Sequence, residues 1–127
     1  MPDIAPERTS GFLVVEVRGE LDIATVVRWT TVLEAAICEL PGPHLLAVDL
    51  GELDFLSARG AAALLEAFDL CRDRGIDCCL ILPPATSVSR VVQLCGLDRR
   101  VPVYPDRLAA IAACQPVEMR WLQAHAR

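Results

Sequence analysis

Few residues of this chain could do chemistry. Cysteine occurs at six positions and histidine only at His44 and His125. A zinc site asks for thiolates and imidazoles at close, regular spacing such as C-x-x-C. Here Cys78 and Cys79 are adjacent and the other four cysteines are scattered, so neither a metal nor a cofactor is expected. Glu52 and Asp54 are a close pair of carboxylates, but no histidine or metal ligand lies near them, and loop carboxylates are ordinarily solvated. The interval from Gly42 to Gly51 lacks the glycine spacing of a phosphate loop and the Lys and Ser or Thr that follow it. No catalysis is expected, and no nucleotide hydrolysis.

What remains suits binding better than reaction. Ser57 stands just before the helical run A-R-G-A-A-A-L-L, where its oxygen can accept an N–H of the first turn. Ser87 and Ser89 are placed to cap and decorate the next helix. The acidic stretch Gly19, Glu20, Leu21, Asp22 lies between a strand pattern and a helix pattern, as a turn or as a loop that meets a partner. Among the thiols, Cys71 and Cys95 fall on apolar helix faces and read as small hydrophobes. Cys78 and Cys79 should point to opposite sheet faces. Cys38 and Cys114, near helix ends, are the accessible thiols and the candidates for a redox role.

The elements that position these residues follow from hydrophobic period. Phe12 to Arg18 alternates as a strand and ends at Gly19. From Ala24 to Leu40, Val26, Trp29, Leu33, Ile37 and Leu40 recur at helical spacing until Pro41 and Gly42. Leu45 to Leu50 is a nearly continuous apolar run, the mark of a strand buried on both faces of a parallel sheet, and G-E-L-D-F then reads as a loop. Ala61, Leu64, Leu65, Phe68 and Cys71 share one face of a helix ending near Arg74, with Gly75 as its left-handed cap. Ile76 to Leu82 is a second buried strand, closed by Pro83 and Pro84. Val88, Val91, Val92 and Cys95 mark a helix that stops at Gly96. Val101 to Tyr104 is a short strand that Pro102 places at an edge, and Asp106 can cap a last helix carrying Leu108 and Ile111. Leu33, Ile37, Leu64, Phe68, Val91 and Leu108 are the expected helix-borne core. This alternation predicts one α/β domain, a mostly parallel central sheet of four to five strands with helices packed on it.

Length and composition agree. A chain of 127 residues, 54% hydrophobic and 23% charged, has the make-up of a folded single domain. A net charge of −5 with dispersed arginines argues against a nucleic-acid backbone reader. No apolar run nears the ~18 residues of a membrane span, and the amino terminus has no secretory pattern, so a cytoplasmic location is expected, where thiols stay free.

Three segments carry a resemblance: V-R-G-E-L-D at Val17 to Asp22, V-D-L-G-E-L-D-F-L-S-A-R-G from Val48 to Gly60, and L-C-G-L at Leu94 to Leu97. In order and spacing they resemble the STAS domain, the anti-sigma factor antagonist family, over residues 11–114. Residues 1–10 are then an arm or edge strand and 115–127 a tail that can be helical. The resemblance implies a STAS-like fold and a regulator that binds an anti-sigma factor of the histidine-kinase-like ATPase type and frees a sigma factor. It assigns partner contact to Glu20, Asp22, Ser57, Ala58, Arg59 and Gly60. In the family an Asp precedes a phosphorylatable Ser or Thr that stands two residues before a Gly. Aligned on Gly60, the phosphorylated position is Ala58 and the Asp position is Ser57, which leaves Ser57 as the one hydroxyl a kinase could use there. A redox-responsive form of the same regulator, and a STAS subunit of a stressosome-like or lipid-transport complex, are the alternatives the resemblance leaves open.

Overall fold

Groups of one to three strands alternate with helices along the chain. The computed structural model describes residues 4–9, 12–39 and 45–113. The order is β1 (Ile4–Thr9), β2 (Phe12–Val17), β3 (Gly19–Leu21), α1 (Val26–Glu39), β4 (Leu45–Asp49), β5 (Leu53–Leu56), α2 (Ala58–Asp73), β6 (Asp77–Ile81), α3 (Ser87–Leu94), α4 (Leu97–Arg100) and β7 (Val103–Tyr104), followed by helix over 107–113.

The main sheet has the strand order β1-β2-β4-β6-β7. Its β2, β4, β6 and β7 are parallel, and β1 runs antiparallel along β2. The strand β4 lies between β2 and β6, with Leu46 and Val48 in one core cluster and Ala47 in the other. Burial on both faces is why its sequence does not alternate. Pro102 precedes β7, which holds the sheet edge.

Helices α1 to α4 all contribute to the larger cluster, on one face of the sheet. Helix α1 is rich in Val and Thr, weak helix formers, and is held by its buried stripe of Val26, Trp29, Leu33 and Ile37. In α2 the buried side is Ala61, Leu64, Phe68 and Cys71. Gly75 follows its C-cap at φ 72°, a conformation that costs glycine nothing and other residues about 1 kcal/mol or more. The cap of α3 is Thr86 rather than Ser87: Thr86 Oγ1 accepts from the Ser89 N–H and Ser89 Oγ accepts from the Thr86 N–H, a reciprocal box.

Other expectations are corrected as well: Gly19 to Leu21, read as part of a turn or loop, is the strand β3. The segment G-E-L-D-F is not a plain loop: its second half is β5, which pairs in parallel with β3 in a separate two-stranded sheet. Three residues of β3 and four of β5 are too few to show a strand period by themselves. Leu108 is not core, being 79% exposed. The buried residue of that helix is Ala110, packed on the far face of the sheet with Phe12, Val14, Ala47, Cys79 and Ile81. Val91 is half-buried against the main cluster, and Leu33, Ile37, Leu64 and Phe68 are buried. Residues 115–127, read as a tail, lie outside the described residues, as does Cys114.

Candidate protein-docking rim

The carboxyl ends of parallel strands and the amino ends of the helices that follow share one edge of the sheet. At Gly19 (φ 84°) the chain leaves β2 and enters β3, while β4 hands over to β5 through a turn at Gly51 and Glu52. Pairing of Leu21 with Leu56 then sets the next residues of each strand, Asp22 and Ser57, side by side. The Ser57 N–H donates to the Leu21 carbonyl at 3.0 Å, which joins the two junctions directly.

Each junction is built by its own side chains. Asp22 is half-buried, and its Oδ1 accepts from the N–H groups of Ala24 (2.9 Å) and Thr25 (3.1 Å). Its own N–H donates to Thr25 Oγ1 at 3.0 Å, and Thr25 Oγ1 donates to the Glu20 carbonyl at 2.9 Å. Asp22 therefore shapes the turn that leads into α1: its carboxylate holds the Ala24 and Thr25 N–H groups, and its backbone carbonyl accepts from the N–H of Val26, the first residue of α1, at 2.9 Å. Ser57 is the N-cap of α2 and accepts from the Gly60 N–H at 3.0 Å. Gly60 itself is needed for close approach: a Cβ there would stand 2.6 Å from the Leu21 carbonyl oxygen and 3.0 Å from Leu21 Cγ.

Of the six residues expected to meet a partner, Glu20, Ala58 and Arg59 are exposed, Asp22 and Ser57 are half-buried, and Gly60 is buried. All six lie on or beside the β3–β5 pair, but Gly60 acts by letting α2 sit against β3 and offers no side chain. Residues missed in the sequence enlarge the rim. Ile23 and Val27 are 77% and 74% exposed beside Asp22 and at the start of α1, and Phe55 of β5 is half-exposed. A groove of about 200 Å³ runs between α1 and α2, lined by Val27, Thr30, Thr31, Arg59, Ala63 and Glu66 among others. The signal was present: Ile23 and Val27 are apolar residues that fall off the buried stripe of Val26, Trp29 and Leu33.

Other chemistry-bearing residues stand elsewhere. A larger cavity, about 390 Å³, opens beside the first residues of β4 and β6, with Asp69, Arg72 and Arg100 around it. Glu52 and Asp54 are exposed. Cys38 is exposed on the last turns of α1, and Cys71 and Cys79 are buried on opposite sides of the sheet. The thiol of Cys78 packs toward Cys71 on the α2 side. A hydrogen bond from Cys78 holds the Cys71 thiol below its ordinary pKa against the opposing effect of burial, and sharing that bond, together with burial, pushes Cys78 upward. Among the described residues no cluster of His, Cys, Asp and Glu could hold a metal, and no helix is long and apolar enough to cross a membrane.

This geometry has counterparts. The STAS domain family model matches residues 3–110. The anti-sigma-F factor antagonist RsfA of Mycobacterium tuberculosis is 31% identical over 101 residues, covering 80% of this chain and 78% of that protein. A crystal structure of an anti-sigma factor antagonist from Mycobacterium paratuberculosis superposes with a TM-score of 0.78 at 27% identity, covering 91% of this chain and 95% of that one. The anti-sigma factor antagonist SpoIIAA in its unphosphorylated form shares the fold with a TM-score of 0.70 at 20% identity, over 87% of this chain and 96% of that one. With the family model spanning residues 3–110 and a solved antagonist structure matching 91% of the chain, this chain belongs to the STAS domain family.

Proposed function

We propose that this chain is an anti-sigma factor antagonist of the cytoplasm: it binds an anti-sigma factor of the histidine-kinase-like ATPase type through the rim and so frees a sigma factor. The observation that carries the reading is the composition of the rim, where a capped helix start, exposed Ile23 and Val27, and the α1–α2 groove form one surface. Kinship to proteins named as anti-sigma factor antagonists supports the same reading.

Ala58 occupies the first turn of α2 at the position the family phosphorylates, and it has no hydroxyl. A phosphate there would add about −1.5 to −2 charges to the docking surface. Without it the antagonist stays in its binding form, and Ser57 is committed to capping α2. Arg59 adds an exposed cation for an acidic partner surface.

The test is calorimetric titration with a purified anti-sigma factor kinase. Ala58→Glu and Ser57→Asp should each weaken binding by about 2 to 5 kcal/mol, the cost of an unpaired charge buried in an interface. In the presence of ATP the wild-type chain should gain no phosphate. Unchanged affinity for both acidic variants removes the rim from the interface, and stoichiometric phosphate on Ser57 shows a switch displaced by one residue.

A further inference from the structure

We infer that Arg107 is a positioning residue for the docking rim: from the far face of the sheet its guanidinium ties together the ends of β2 and β4, the two roots from which β3 and β5 depart. Its importance for function rests on the docking reading above, while its mechanical role stands on geometry alone.

Glu16 and Asp49 are register partners on adjacent parallel strands, and both are buried, at 9% and 7% exposure. Two carboxylates side by side in a sheet repel and are costly to bury without a cation between them. Arg107 supplies it, donating from Nε to Asp49 Oδ2 at 2.7 Å and from Nη2 to Glu16 Oε2 at 2.7 Å. A planar fork serves two acceptors at once, which a lysine ammonium does only poorly.

The second oxygen of each carboxylate reaches toward the rim. Asp49 Oδ1 accepts from the Gly51 N–H at 2.8 Å, in the turn that starts β5. Glu16 Oε1 accepts from Nε of Arg18, the residue before β3 begins at Gly19. Each carboxylate is thus held on one side by Arg107 and on the other by the segment that leads to Asp22 or to Ser57. Since β3 and β5 form a two-stranded sheet of their own among the described residues, the separation of their roots sets how Leu21 meets Leu56 and how closely Gly60 seats on Leu21. The helix that carries Arg107 is capped at its start, where Asp106 Oδ1 accepts from the Ala109 N–H at 2.7 Å.

Amide hydrogen exchange, followed residue by residue, reads the strap directly. In Arg107→Gln, amides of residues 19–25 and 53–60 should exchange about tenfold faster or more, while those of the carboxyl half of α2 change by less than about threefold. Arg107→Lys should recover part of the protection. Ala110→Gly, which loses helix propensity and packing on the same face but keeps the ion pairs, should not single out the rim. Glu16→Gln, which breaks one arm, should loosen residues 19–25 and serves alone if Arg107→Gln does not fold. Uniform acceleration, the same pattern in Ala110→Gly, or no acceleration at the rim overturns the inference. Affinity for the purified anti-sigma factor kinase should fall about tenfold in Arg107→Gln with Arg107→Lys between, and wild-type affinity in a variant whose rim has loosened also overturns it. A wild-type chain that does not bind the kinase defeats the sigma-factor reading, and the exchange pattern then still decides the strap.

Discussion

The rim depends on single residues whose jobs can be separated by substitution. Gly60 has no room for a methyl group against the Leu21 carbonyl, so Gly60→Ala should destabilise the domain by about 1 to 3 kcal/mol, the range for overpacking, measured by urea denaturation. The effect should appear although alanine is the better helix former. Ser57 makes the complementary case. Ser57→Ala removes the bond to the Gly60 N–H and should cost about 1 kcal/mol. Ser57→Asp keeps a good N-cap and places a negative charge at the positive end of α2. It should therefore leave stability unchanged while weakening the anti-sigma factor complex. Joint loss of stability and binding in Ser57→Asp would mean that the rim is distorted rather than charged.

Among the elements, buried periodic stripes and short surface helices behave differently. Helix α2 spans 16 residues, enough turns for its apolar face to be read in the sequence, and Phe68 on that face is 4% exposed. Phe68→Ala should cost about 3 to 5 kcal/mol. The helix over 107–113 has barely two turns, and its large apolar residues Leu108 and Ile111 point outward while Arg107 and Ala110 face the sheet. Its neighbours on the sheet are carboxylates and closely packed apolar side chains, which take a guanidinium and a methyl group. Leu108→Ser should therefore change stability by no more than about 0.5 kcal/mol. The two denaturation midpoints, compared in one experiment, check both placements.

For the molecule as a whole, the two-faced sheet determines which thiols react. Cys71 and Cys79 have no exposed surface and lie on opposite faces, whereas Cys38 is open on α1. Native alkylation followed by mass spectrometry should label Cys38 early and leave Cys71 and Cys79 until unfolding. Thiol counts on protein prepared without oxidant should find most of the six cysteines free; two or more internal bridges would replace the packing role of these residues with a redox one. Cys78 is the thiol to watch, since it is half-buried and packs on the same side of the sheet as Cys71. That placement could not be read from two cysteines seven positions apart across a helix-to-strand turn.

The sequence by itself determined what depends on neighbours along the chain. The stripe Val26, Trp29, Leu33 and Ile37, the unbroken apolar run of β4, the cap residues Ser57 and Gly75, and the edge proline Pro102 each act within a few positions, so periodicity and local sterics expose them. They were enough for the α/β class, the parallel sheet and the junctions where the rim would lie. Tertiary structure alone decided what depends on chain segments far apart in sequence. Pairing of Leu21 with Leu56 made a strand of part of a presumed loop. It also turned Gly60 from a motif letter into a steric requirement. Arg107 meets Glu16 across 91 positions and Asp49 across 58, and no local pattern encodes a charge whose partners are chosen by strand register.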